Sequence, residues 1–78
     1  MTTLNQIRPG GQCRVRKVNG TEAISQRLME MGLVCGSMVE VVRLAPMGDP
    51  MEIEVQGYHL SLRKSEAALV EVDPWPSP

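Results

Sequence analysis

The chain has 78 residues, with eight Lys/Arg against nine Asp/Glu, a formal net charge of −1 and a pI near 5.7. A chain this short makes one domain with a marginal core, and its mildly acidic balance argues against the basic footprint of a nucleic-acid binder. Apolar residues make up 42% and charged residues 22%, as in an ordinary globular domain, but with one Trp, one Tyr and no Phe the core must be Val, Leu, Ile and Met.

No apolar run approaches the roughly 18 residues of a membrane span, and no basic-then-apolar start marks a signal peptide. The expectation is a cytoplasmic chain with no direct membrane insertion. Cys13 and Cys35 are too few for a disulfide framework and too far apart for a zinc knuckle, so both are expected as reduced thiols. The charge is uneven, +3 over residues 1–43 and −4 over residues 44–78.

In chain order, Pro9-Gly10-Gly11 is a turn signal, and Gln12–Val18 follows as a strand with Cys13 and Val15 on one face and Arg14 and Arg16 on the other. Thr21–Met31 reads as a helix of about three turns. Ile24, Leu28 and Met31, at i, i+4 and i+7, form one apolar stripe, and Glu22, Ser25, Gln26 and Glu30 take the opposite face. Met29 sits among them, exposed where a polar residue is expected. Gly32 supplies a left-handed residue, with Leu33 folding back on Leu28 in a Schellman-type stop. Ser37–Leu44 reads as a central strand, apolar on both faces around Val39, Val41 and Val42. Met51–Val55 alternates, Gln56-Gly57 is a tight turn, and Tyr58–Leu62 alternates again. Ser65–Ala68 makes one helical turn and Leu69–Val72 a last short strand. Residues 1–72 therefore form the domain. Asp73–Pro78, with three prolines in six residues, reads as a frayed, disordered tail.

About five short strands with one helix after the first leave too little chain for parallel crossovers. A small sheet closed on itself removes its edges. The expected fold class is mainly β, an SH3-like barrel of about five strands with one short α-helix inserted after the first strand.

Leu44-Ala45-Pro46-Met47-Gly48-Asp49-Pro50 is stiffer than a connector needs to be. Pro50 can open a strand because its missing N–H is harmless there, Gly48 allows positive φ, and Asp49 can close an Asx-turn. A loop shaped in this way is also preorganised to present Met47 and Asp49 to a partner at low ordering cost.

The order Leu4, Pro9-Gly10, Arg27-Leu28-x-x-Met31-Gly32-Leu33, Gly36, Ala45-Pro46-x-Gly48-Asp49-Pro50, Gly57, Leu62-Arg63 and Ala67 resembles the ferrous-iron transport A (FeoA) proteins over about residues 3–72. A similar domain ends the iron-dependent repressors of the DtxR type. One position departs from the pattern: Cys35 stands where the family usually has Pro before Gly36. The resemblance implies a cytoplasmic, non-enzymatic accessory protein of ferrous-iron uptake. It would bind a membrane Fe(II) transporter of the FeoB type, whose cytosolic part is a GTP-binding domain. Composition and spacing by themselves imply only a small acidic barrel.

The partner surface expected from the residues is the helix back and the loop tip: Met29, Glu30, Met47, Gly48 and Asp49. Arg27, beside the apolar stripe, is expected to pack its stem and cap a carbonyl or pair with an acid. No catalytic residue is expected, because no Ser, Cys or acid has a recognisable base partner, and no cofactor either, since Pro9-Gly10-Gly11 lacks the lysine of a phosphate loop. No metal site is expected, because Cys13 should face inward while His59 alternates outward. Two other modules stay open, a metal-responsive one and a nucleic-acid-binding one. Arg8, Arg14, Arg16 and Lys17 support the second, and the missing aromatics oppose it. A homo-oligomer is also open.

Overall fold

The structure is a computed structural model and describes residues 2–76. Six strands form one sheet in the order β1-β6-β2-β3-β4-β5, every pair antiparallel. They are β1 (Thr2–Thr3), β2 (Gln12–Val18), β3 (Met38–Leu44), β4 (Met51–Val55), β5 (Tyr58–Leu62) and β6 (Val70–Trp75). Helix α1 (Glu22–Glu30) follows β2, and α2 (Lys64–Ala67) precedes β6. The sheet has one strand more than expected: β1 is only two residues long, too short for a periodic signal, and it leads into a 3-10 turn that buries Leu4.

The alternating strands bury one face each. Cys13 and Val15 of β2, Met51, Ile53 and Val55 of β4, and Leu62 of β5 point into the core, with Val39, Val41, Val70 and Val72 from their neighbours. In β3 the adjacent Val41 and Val42 do not mean burial on both faces. Val41 pairs with Ile53 and Arg43 with Glu52, so Val42 is the extra residue of a bulge. At Gln56-Gly57 both residues have positive φ, +52° and +87°, as a two-residue type I′ hairpin turn requires.

Helix α1 begins on Thr21, whose Oγ1 accepts from the Ile24 N–H at 3.3 Å. It stops in a Schellman motif: the Leu33 N–H donates to the Leu28 carbonyl (3.2 Å) and the Gly32 N–H to the Met29 carbonyl (3.0 Å), with Gly32 at φ +105°. Leu28 is fully buried; Ile24 and Met31 pack half-buried against the core.

Strand β6 runs on through Asp73, Pro74 and Trp75, where the sequence places a disordered tail. Gln12 pairs with Trp75, Cys13 with Pro74 and Arg14 with Asp73. A proline is tolerated because, among the described residues, β1 pairs only with Glu71 and Val72, so no described strand asks for an N–H from Pro74 on that side. The Arg14 guanidinium lies 5.2 Å from the Trp75 ring centroid, a cation–π contact that holds the strand end. The remaining tail residues, 77 and 78, lie outside the described residues.

Candidate functional site

The stiff loop between β3 and β4 closes on its own backbone. The Ala45 N–H donates to the Pro50 carbonyl (3.0 Å) and the Gly48 N–H to the Ala45 carbonyl (2.7 Å), with Gly48 at φ +86°. Met47 stands at the tip, 92% exposed. Asp49 does not close an Asx-turn within the loop. Its Oδ1 accepts from the Lys64 N–H at 3.0 Å, capping the first turn of α2 fifteen residues away. The reason is geometric: the free N–H groups at the start of α2 need acceptors, and Arg63 at the cap position offers its own side chain no such bond.

Helix α2 is tied on its other side to α1. One Glu66 oxygen accepts from the Arg63 N–H at 3.0 Å, and the other is bonded to the Arg27 guanidinium. Arg27 thus pairs with an acid, as its place beside the apolar stripe suggested. The loop carrying Met47, Gly48 and Asp49 and the helix carrying Met29 and Glu30 are therefore fastened to the same four-residue helix. Met29 is 47% exposed and Glu30 is exposed. Glu66 and the Lys64 backbone were not read from the sequence as part of this surface. An acid three residues after Arg63 is the local signal for the first; nothing local signals the second.

On the outer face of β4 and β5, His59 sits between two carboxylates, Nδ1 3.4 Å from Glu52 and Nε2 3.6 Å from Glu54. The Arg43 guanidinium, bonded to Glu52 at 2.8 Å, holds that carboxyl below its ordinary value, and His59 adds to the effect. The two acids bracket the imidazole from opposite nitrogens and do not converge on a shared point. Cys13 is buried, Cys35 and His59 are exposed, and the three are not brought together. Among the described residues no group of three His, Cys, Asp or Glu is arranged to hold a metal ion. Burial pushes the Cys13 thiol up to about 11, so it stays neutral at physiological pH.

The FeoA domain family matches residues 2–74. The chain belongs to the FeoA domain family. It is 36% identical over 70 residues to an Fe(2+) transport protein A/Fe(2+) transporter FeoB fusion protein of Porphyromonas gingivalis. That match takes 90% of this chain and only 8% of the fusion. The solution structure of a FeoA protein from Chlorobium tepidum superposes with a TM-score of 0.89 at 35% identity, over 95% of this chain and 70% of that one. The zinc-complexed crystal structure of Stenotrophomonas maltophilia FeoA, described as an SH3 domain protein, gives 0.82 at 34% identity, over 94% and 91%. Against the IdeR of T. acidophilum the identity is 18% with a TM-score of 0.79, over 91% of this chain and 32% of that one, which shows a shared fold alone. The fold is thus SH3-like and mainly β, as expected from the succession of short strands. The FeoA family is one of non-catalytic accessory domains associated with ferrous-iron transport. Among the described residues, no helix of this FeoA domain is long and apolar enough to cross a membrane.

Proposed function

We propose that this FeoA domain is a non-enzymatic, cytoplasmic regulator of ferrous-iron uptake that works by binding the cytosolic part of a membrane Fe(II) transporter of the FeoB type. The observation that carries the reading is the Porphyromonas gingivalis relative, in which a homologous segment is covalently joined to such a transporter. A fusion keeps two partners at high effective concentration, which serves a pair that functions in contact.

The docking surface is the helix back and the loop tip: Met29, Glu30, Met47, Gly48 and Asp49. The described surface totals 4895 Å², and a standard interface takes about 800 Å² per partner, so one side of the molecule suffices. Met47 is an adaptable apolar contact on a loop whose base is already ordered, so little entropy is lost on docking.

The test is paired surface substitution. Met29→Lys and Met47→Asp leave caps and core untouched, so each should shift stability by no more than about 0.5 kcal/mol. Each should weaken binding to the purified cytosolic domain of the transporter and lower iron uptake, with an unchanged melting temperature. If both variants bind and support uptake like the parent, this surface is not the interface.

A further inference from the structure

The outer face of the sheet carries a second surface, distinct in composition from the helix and loop. One row of side chains runs straight across five strands, each residue paired with the next: Trp75, Gln12, Glu40, Glu54 and His59. Two acids therefore face each other directly across β3 and β4, an arrangement that repels in a solvated sheet. Neither is balanced. Among the described residues Glu40 has no ion pair, only a long 3.4 Å bond from the Gln12 amide, and Glu54 has only His59 at 3.6 Å. The nearby Arg14 is held over the Trp75 indole instead.

The same acids line a cleft of about 220 Å³, together with Gln12, Met38 and Gln56. Met38, two residues from Glu40 and so on the same strand face, is 38% exposed, and Trp75 at the end of the row is 48% exposed. A concave site with unbalanced negative charge and an exposed apolar flank at Met38 complements a cation carried near an apolar group.

We propose that this cleft docks an extended protein segment that presents one Lys or Arg side chain with an apolar residue two positions away, on the same face of the segment. The cation lies between Glu40 and Glu54, relieving their repulsion, and the apolar side chain two residues along covers Met38. The inference goes beyond the transporter reading, because it concerns a different face and its probe is not the transporter.

The experiment titrates isotope-labelled protein with acetyl-Leu-Ser-Lys-Ser-Leu-amide and, separately, acetyl-Leu-Ser-Glu-Ser-Leu-amide, followed by amide chemical shifts. The lysine peptide should shift Gln12, Met38, Glu40 and Glu54 saturably, and the glutamate peptide should not. Glu40→Gln and Glu54→Gln should each weaken the lysine peptide about tenfold, the loss of one charge-assisted contact. Their melting temperatures should equal or exceed the parent's, since the like-charge pair is gone, and Met47→Asp should bind the peptide as the parent does. Shifts that map elsewhere, equal response to both peptides, or full affinity in both Gln variants would overturn the proposal. So would movement of the same amides with protein concentration alone, which would give the face to a second copy of this chain.

Discussion

Asp49→Ala tests whether the loop is wired to α2 as the structure describes. The Asp49 carboxylate accepts from the Lys64 N–H at 3.0 Å, one of the backbone donors that a helix start cannot satisfy internally. Losing a capping acceptor of this kind costs about 1 kcal/mol, within a range of roughly 0.5–2. For a domain of this size that is about 4–8 °C in melting temperature. Asp49→Asn keeps an oxygen in place and should recover most of the loss. Lys64→Pro removes the donor instead. Proline is at home in the first position of a helix, and Arg63 before it already sits at φ −69°, ψ 145°, the extended region that a following proline demands. The two changes remove the same bond, so the double variant should be no worse than the single ones, giving a coupling of about 1 kcal/mol in a double-mutant cycle. Urea denaturation followed by circular dichroism measures the parent and all four variants. Strict additivity, or an Asp49→Ala protein as stable as the parent, would refute the link and return Asp49 to a turn of its own.

Leu28→Ala should cost about 2–5 kcal/mol in urea denaturation, because Leu28 is fully buried between α1 and the sheet; a loss under about 1 kcal/mol would be inconsistent with that burial. The two thiols should separate by reactivity: at mildly alkaline pH a disulfide reagent should label the exposed Cys35 at once, and Cys35→Ser should leave no reactive thiol until the protein unfolds. Cys13 also sets an alkaline limit. Its folded pKa is raised from 9.0 to about 11, so its contribution is complete below 9.0 and lost as pH rises through about 11. The loss amounts to roughly 2–3 kcal/mol at about 1.4 kcal/mol per pH unit. Cys13→Ala should lack that part of the slope.

The fold was legible where the pattern is local. Alternation identified the inward residues of β2 and β4, and the stripe at Ile24, Leu28 and Met31 with Gly32 behind it specified α1 and its stop. Reading failed where a tertiary partner decides. The adjacent Val41 and Val42 suggest two buried faces until the partner strand shows that one of them is a bulge. Pro74 argues against a strand until the pairing of the described residues shows that β1 meets β6 only at Glu71 and Val72 and leaves the missing N–H unneeded. The candidate surface divides in the same way: the exposed positions of Met29 and Met47 follow from sequence, whereas Asp49 bonding to Lys64 spans fifteen residues and carries no local sign.

That non-local bond also explains why the loop is stiffer than a hairpin requires. A flexible 44–50 segment would pay ordering entropy each time Asp49 reached α2. Two prolines, a turn closed from Gly48 to Ala45 and the Ala45–Pro50 bond meet that cost within the loop itself. The same bonds fix the base from which Met47 projects almost wholly into solvent. Stiffness and presentation are then one property: the rigidity that lets the loop cap α2, and through Glu66 and Arg27 reach α1, holds the loop tip and helix back in a constant relation. A partner gripping both would meet a preformed surface, so the two methionine substitutions should act on its affinity and not on the fold.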